Sequence, residues 1–309
     1  MLTSPLLFLV FNRPEPTQRV FERIREARPK QLFIAADGPR PQHPTDAERC
    51  QAVREYLLAH IDWDCELYTL FRDQNLGCGQ AVSQAITWFF EHVPQGIILE
   101  DDTLPDPSFF YFCQTLLHHY QDDERVMMVS GYNALGLYEA TEADYFFSRI
   151  GAIWGWATWR RAWQHYTQDP EEWEEAKRQK LIEQLFIKDP NQAAHRQLVL
   201  EKTFNKEIDT WDYYWTFTRL SQSGLSILPK ANLVQNIGFG EDATHTKTAD
   251  QAVENTPVYT WKNTNRHPRY ITISEFFDDE VFYQFINYRI NPSRETLARR
   301  VLAKILHKR

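Results

Sequence analysis

The sequence contains few cysteines, and their spacing is not typical of a metal site or a redox pair. The four cysteines are scattered and form no C-x-x-C pair: Cys50, Cys65, Cys78 and Cys113. This pattern predicts neither a zinc site nor a disulfide framework, and a reducing cytoplasm is the default environment for such a chain.

Long apolar runs are also missing. No run reaches the roughly 18 apolar residues that a membrane-spanning helix needs. The apolar run at the start of the chain is short, and no basic region precedes it, so we predict neither a signal peptide nor an anchor there. We therefore expect a soluble protein.

Basic residues are outnumbered. The chain has 34 Lys and Arg against 42 Asp and Glu, a formal net charge of -8. Nucleic acids are bound through a basic face, so they are not expected partners. Its 309 residues, 43% hydrophobic and 25% charged, suffice for one large globular α/β domain or two closely packed halves.

Apolar strand-like runs alternate with helical stretches through the first half of the chain. Strands are predicted over 6–11, 31–36, 65–71, 96–99 and 126–129, and helices over 18–27, 46–60, 80–92 and from 106 or 108 to 120. Such alternation predicts an α/β fold with a mostly parallel, Rossmann-like sheet and helices on both faces. Further along, the sequence predicts helices over 170–186 and 191–204, a helix that begins within 209–215 and ends near 221, and a strand over 225–229, while 232–240 leads into a segment, 241–252, that is expected to be flexible.

The most informative stretch is Gly96–Asp102, where an apolar run ends in three carboxylates, Glu100, Asp101 and Asp102. Adjacent negative charges repel one another and are costly to bury unpaired. At the carboxyl edge of a parallel sheet, where open α/β folds bind ligands, a divalent cation would offset this charge. A solvated acidic turn is the alternative interpretation.

Three features together resemble the glycosyltransferases of the GT-A fold, and within them the inverting N-acetylglucosaminyltransferase I-like group. They are Phe11-Asn12-Arg13-Pro14 after the first strand, Asp37-Gly38 after the second, and Glu100-Asp101-Asp102 followed by Pro107-x-Phe109-Phe110. The resemblance covers roughly residues 5–245 and is strong in the first 135.

The resemblance implies a site for a nucleotide-diphosphate sugar, such as a UDP-sugar, with bound Mn²⁺ or Mg²⁺. Asp102 would be the metal ligand, while Glu100 and Asp101 would orient the base, the ribose or coordinated waters. The remaining residues expected on the donor are Asn12, Arg13, Asp37, Arg72, Gly77 and Gly79. A surface ion pair is the alternative role for Arg72.

An inverting transfer needs a general base that deprotonates the acceptor hydroxyl. The resemblance points to Trp211-Asp212-Tyr213, with Asp212 as the base and Asp209 as the reserve, although the family has a second acid where Tyr213 stands. Capping of a helix is the alternative role for Asp212. By the same resemblance, His245 would be an additional metal ligand.

Tryptophans are concentrated between residues 154 and 163. We expect Trp154 and Trp156 to form walls of the sugar and acceptor pocket. Trp159 and Trp163 are predicted to lie on a helix and to pack in the core.

These features predict three regions. Residues 1–135 would bind the nucleotide-sugar, 136–260 would bind a glycan or glycolipid acceptor, and 261–309 would form an extension. The extension ends in a basic amphipathic helix from 292, which would either pack on the protein or contact the inner face of a membrane. The location expected is the cytoplasm, free or peripheral to that membrane.

The function predicted is metal-dependent, inverting glycosyl transfer. One alternative is a sugar nucleotidyltransferase, which shares the sheet and the acidic metal site, although the loop after the first strand lacks the Gly-rich signature of that class. The other is a carbohydrate-binding protein that has kept the fold and lost catalysis.

Overall fold

The computed structural model describes residues 1–238, 256–264, 266–286, 288 and 290. The strands run as follows: β1 Leu6–Val10, β2 Gln31–Ala36, β3 Glu66–Phe71, β4 Gln95–Glu100, β5 Thr103–Pro105, β6 Val126–Ser130, β7 Tyr145–Ser148, β8 Trp156–Trp159, β9 Leu225–Pro229 and β10 Val234–Asn236. The helices are α1 Pro14–Ala27, α2 Asp46–Ala59, α3 Gly77–His92, α4 Ser108–His119, α5 Arg160–Trp163, α6 Pro170–Arg178, α7 Leu181–Leu185, α8 Pro190–Phe204, α9 Asp212–Ser221 and α10 Glu275–Val281, which continues into a π-helical turn, Phe282–Ile286.

The expected α/β sheet is confirmed. Within the described residues its eight strands lie in the order β3-β2-β1-β4-β8-β6-β9-β7. Strands β3, β2, β1 and β4 are mutually parallel, whereas β8 is antiparallel to both of its neighbours. A second, two-stranded sheet pairs β5 with β10. The carboxyl ends of β1, β2 and β4 therefore meet at one edge, beside the small sheet.

Burial explains why the first strands are continuously apolar. Strand β1 is buried along its whole length. One core cluster, which includes Phe21 of α1 and Phe109 of α4, covers one face of the sheet. The other cluster, which includes Phe89 of α3 and Trp156, covers the opposite face. Parallel strands covered on both faces need apolar side chains on both sides.

Several predicted boundaries differ from those observed. Helix α1 begins at Pro14 rather than near residue 18, because proline is tolerated in the first turn of a helix. The helix predicted over 170–186 is two helices, separated at Lys180, which has a left-handed backbone with φ of 54°. Strands β5, β7, β8 and β10 are not apparent from the sequence pattern because each spans only three or four residues.

The tryptophan-rich segment differs most from expectation. Trp156 is completely buried and stacks on Trp211 at 5.5 Å between ring centroids, so it is a core residue and not a pocket wall. Trp159 ends strand β8 rather than lying on a helix, and both it and Trp163 are buried as expected. Trp154 is partly buried and packs edge-to-face on Tyr132 at 4.6 Å.

The regional division at residue 135 remains a prediction. The eight-stranded sheet takes strands from both sides of that residue, because β8 lies between β4 and β6. The predicted basic helix from 292 lies outside the described residues. None of the described helices is long and apolar enough to cross a membrane.

Candidate functional site

The acidic turn lies between the two sheets. Glu100 ends β4, and its backbone N–H donates to Thr103 Oγ1 at 3.0 Å, while that hydroxyl donates to the Glu100 carbonyl oxygen at 2.9 Å. The Asp102 carbonyl oxygen accepts from Ile237 N–H at 2.8 Å, just beyond β10. Gly238 follows, so close to the Asp102 carboxylate that a Cβ atom there would overlap it. These contacts fix the backbone at Glu100 and at Asp102, on either side of Asp101.

Arg13 neutralises part of this charge. Its guanidinium contacts the carboxylate of Asp101, and Nη1 lies 2.9 Å from Asp102 Oδ2. Asp101 also accepts from Phe11 N–H at 3.2 Å. Burial alone would lower the pKa of Arg13, but the two carboxylates raise it above its usual value. Arg13 is therefore a fixed cation within the turn.

Glu100 has the least favourable environment of the three acids. Its Oε1 is buried and accepts no hydrogen bond from the described part of the chain. Burial, followed by the charges of Asp102 and Asp101, raises the pKa of Glu100 well above its usual value. Its carboxyl group is therefore a buried acceptor that a cation or a donor group of a ligand would satisfy.

The donor set fits a divalent metal that is shared with a ligand. No three His, Cys, Asp or Glu side chains among the described residues are grouped to hold a metal by themselves. Mg²⁺ is commonly bound by one or two carboxylates, with water and substrate phosphate as the other ligands. Asp102, at the open end of the turn, and Glu100, whose carboxyl group has an unsatisfied oxygen, would supply these two carboxylate ligands. His245 lies outside the described residues.

Asp37 organises the loop that precedes α3. Its carboxylate accepts from Asn75 Nδ2 at 2.9 Å, from the N–H of Leu76 at 3.1 Å and from the N–H of Gly77 at 3.2 Å. Burial raises the pKa of Asp37, and these backbone donors oppose that effect. This places Asp37 at the expected edge, with its oxygens already accepting several hydrogen bonds.

Asn12 and Arg72 lie at the same edge in mainly structural contacts. Asn12 is buried and donates to Asp46 at 2.7 Å. The Arg72 guanidinium extends along α3, with long contacts of 3.4 Å to the Ala81 carbonyl oxygen and the Gln84 side chain. Neither contact is the surface ion pair considered as the alternative for Arg72.

Gly77 and Gly79 form a socket for Asp209. The Gly79 N–H donates to Asp209 Oδ1 at 3.1 Å. A Cβ atom on Gly79 would lie 2.6 Å from that oxygen, and one on Gly77 would lie 2.9 Å from Oδ2. Gly77 also has a left-handed φ of 80°. The amino terminus of α3 therefore binds a carboxylate of the protein itself. The negative charge of that carboxylate interacts favourably with the helix dipole and stabilises α3.

Asp212 belongs to the same group of acids. It is the first residue of α9, and Thr210 Oγ1 donates to its carboxylate. Its charge contributes to the raised pKa of Glu100 and to that of the Cys78 thiol. The adjacent Trp211 stacks on Trp156, which pairs with Ile98 of β4, so the structure brings Asp212 from the second half of the chain within electrostatic range of Glu100.

Sequence reasoning did not identify Cys78 as a member of this group. Burial raises the pKa of its thiol above the usual value, and Glu100, Asp209, Asp212 and Asp102 act in the same direction. The Gly77-x-Gly79 spacing was the available signal, since it marks a helix start at which a second segment approaches closely.

A groove runs along the outer face of α3. It encloses about 480 Å³ and is lined by amides, hydroxyls, one carboxylate and two aromatic rings: Gln80, Ser83, Gln84, Thr87, Trp88, Glu91, Tyr166 and Gln168. Tyr166 stacks on Trp163 at 4.3 Å and 13°, which fixes one wall. The Tyr166 hydroxyl donates to the Trp211 carbonyl oxygen at 3.2 Å, so this end of the groove adjoins the segment that carries Asp212.

Comparison with known proteins finds only weak similarity in sequence and in structure. No family model and no curated protein sequence matches the chain. Among solved structures, HddC from Yersinia pseudotuberculosis is 10% identical over 53% of this chain and 80% of its own, with a TM-score of 0.34. A UDP-glucose pyrophosphorylase complexed with UDP-glucose is 10% identical over 53% of this chain and 79% of its own, with a TM-score of 0.33. At these values neither structure carries an inference about activity, and the fold assignment stands on the strand order itself.

Proposed function

We propose that this protein is a metal-dependent, inverting glycosyltransferase that uses a nucleotide-diphosphate sugar. The observation that supports this most directly is the packing of the Asp212 segment against β4: Trp211 stacks on Trp156, and Trp156 pairs with Ile98, two residues before Glu100. A carboxylate suited to deprotonate an acceptor thus lies beside carboxylates suited to hold a metal and its diphosphate.

In this proposal each residue near the turn has a distinct role. Asp102 and Glu100 hold Mg²⁺ or Mn²⁺, and Arg13 keeps Asp101 and Asp102 in place. The bound metal supplies Lewis-acid neutralisation of the charge that develops on the departing diphosphate. His245, if it reaches the same metal, adds a nitrogen ligand.

Asp212 acts on the acceptor. Its carboxylate takes the proton of an acceptor hydroxyl while that oxygen forms the bond to the anomeric carbon and the nucleoside diphosphate leaves from the opposite face. The acceptor is a glycan or glycolipid. We place it in the groove of Trp88 and Tyr166, because aromatic faces and amide side chains are suited to bind sugar rings.

A sugar nucleotidyltransferase is the second candidate. It would join a sugar phosphate to a nucleoside triphosphate and release pyrophosphate at a similar acidic edge. The pyrophosphorylase named above belongs to this class. Against it, the loop after β1 offers Arg13 as its cation, and that side chain already contacts Asp101 and Asp102.

A thermal-shift screen tests both candidates. Nucleoside diphosphates, UDP-sugars and other nucleotide-sugars, and nucleoside triphosphates with sugar phosphates are each measured with Mn²⁺, Mg²⁺ or EDTA. A ligand that binds the folded state raises the melting temperature by mass action. We expect a shift with a nucleotide-sugar that disappears in EDTA; no shift with any nucleotide would contradict both enzymatic proposals.

Turnover separates the two. Glycosyl transfer, or slow hydrolysis of the donor, releases a nucleoside diphosphate, whereas nucleotidyl transfer releases pyrophosphate. We expect Asp212→Asn to reduce diphosphate release by about 100-fold or more while leaving donor affinity unchanged. Full activity of this variant would exclude Asp212 as the base.

A further inference from the structure

Asp209 has a contact that a catalytic base would not need. Its carboxylate accepts from the Gly79 N–H at 3.1 Å, and both Gly77 and Gly79 lack the side chain that would displace it. Asp37 accepts from the N–H of Gly77 in the same turn. The donor groups at the start of α3 are thereby bound by two carboxylates of the protein.

The segment that follows Asp209 is held at two further points. Thr210 Oγ1 donates to the Asp212 carboxylate, and the Trp211 carbonyl oxygen accepts from the Tyr166 hydroxyl at 3.2 Å. Trp211 is buried against Trp156. Asp212 is thus three residues from the contact with Gly79 and is connected to it through a fixed segment.

We propose that Asp209 is a positioning residue that clamps the Asp212 segment onto the amino terminus of α3. This inference rests on the proposed function for its catalytic consequence, while the clamp itself is a structural claim that can be tested separately. It replaces both the assignment of Asp209 as reserve base and the assignment of Gly77 and Gly79 to the nucleotide.

The base and the clamp predict different outcomes for one substitution. Asp209→Asn keeps an oxygen that can accept from the Gly79 N–H but cannot take a proton from an acceptor. If Asp209 is a clamp, this variant retains kcat within about threefold, whereas Asp209→Ala loses at least about tenfold in kcat with an unchanged KM for the donor. Equal, large losses in both variants would overturn the clamp in favour of the base.

Labelling of Cys78 tests the clamp without any activity. Cys78 lies between the two glycines of the socket, and its alkylation by iodoacetamide can be followed by peptide mass spectrometry. Both Asp209 variants remove the same negative charge beside the thiol, so a difference between them reports the contact with Gly79. We expect Asp209→Ala to be labelled about tenfold faster than Asp209→Asn because the first turn of α3 opens more often.

Asp169→Ala is the matched control. Asp169 precedes α6 and caps it through a similar contact, accepting from the Glu171 N–H at 2.9 Å, at the start of a helix other than α3. It should lose comparable stability without faster labelling of Cys78. Equal labelling rates in the two Asp209 variants would overturn the proposal. Absence of turnover in the unsubstituted protein would instead refute the proposed function, and the labelling result would still decide the clamp.

Discussion

Arg13 Nη1 lies 2.9 Å from Asp102 Oδ2, and the same guanidinium contacts Asp101. One side chain from the loop after β1 is thus shared by two consecutive acids after β4. Asp101 is almost completely buried, at 3% exposure, so the loss of this cation would leave a carboxylate in a low-dielectric environment without its charge partner.

Replacement of Arg13 should therefore cost much more than replacement of a surface arginine. We expect Arg13→Met to lower the free energy of unfolding by about 3 kcal/mol, measured by urea denaturation at neutral pH. Arg125→Met is the control, because Arg125 pairs with Asp123 at an exposed position and should cost less than about 1 kcal/mol. Equal losses of unfolding free energy in Arg13→Met and Arg125→Met would show that the buried ion pair contributes no more to stability than the exposed one.

Removal of the Asp102 charge should abolish the metal-dependent part of nucleotide binding. We expect Asp102→Asn to eliminate the difference in melting temperature between Mn²⁺ and EDTA in the presence of a bound nucleotide. Asp122→Asn, an exposed substitution between α4 and β6, is the control and should preserve that difference. An unchanged shift in Asp102→Asn would place the metal elsewhere.

Glu100 should make the protein less stable as the pH rises. Because burial and the neighbouring acids raise its pKa in the folded state, the fold favours the protonated form. The stabilising contribution of Glu100 is complete below the pKa that its carboxyl group has in the unfolded chain. It is lost as the pH rises through the higher pKa that this group has in the folded protein. The loss amounts to about 1.4 kcal/mol for each pH unit that separates these two pKa values.

Glu100→Gln mimics the protonated side chain and isolates this effect. We expect it to raise the free energy of unfolding at pH 7 and to flatten the pH profile above pH 4.5, as measured by denaturation at several pH values. If the free energy of unfolding of Glu100→Gln varied with pH in parallel with that of the unsubstituted protein, ionisation of Glu100 would not reduce the stability of the fold.

Asp278 on α10 provides an independent pH effect outside the site. It accepts from Ser148 Oγ and from the Arg149 N–H, and burial raises its pKa to about 6. Because this pKa is also raised by folding, its contribution is lost as the pH rises from about 4 to about 6, with a slope of at most about 1.4 kcal/mol per pH unit. Asp278→Asn should remove that part of the slope, and an unchanged slope would contradict the assignment.

Trp88 should affect the acceptor and not the donor. If the groove along α3 binds sugar rings, Trp88→Ala should raise the acceptor KM by about fivefold while the donor KM stays constant, because stacking on an aromatic face is worth about 1 kcal/mol. Leu58→Ala, an exposed apolar position on α2, is the control. A change in the donor KM would show instead that the groove contributes to binding of the nucleotide-sugar.

Local sequence pattern was enough to specify the sheet of the first half and the edge at which the polar residues after its strands meet. Apolar runs such as Leu6–Val10 identify buried parallel strands, and the polar residues that follow them must then meet at one edge. That reasoning placed the loops of Arg13 and Asp37 and the three acids at the same edge of the sheet, where Arg13 contacts Asp101 and Asp102. It depends only on local periodicity and on the geometry of parallel strands.

What these residues contact depended on the packing of distant parts of the chain. Sequence spacing could not show that Asp209 would reach across 130 positions to Gly79, or that Trp156 would be buried against Trp211 instead of lining a pocket. Trp156 lies on the short strand β8, which is inserted between β4 and β6, and Asp209 reaches α3 from the second half of the chain. Long-range packing of this kind is decided by the fit of whole elements, because a four-residue strand has too little pattern of its own to specify its neighbours.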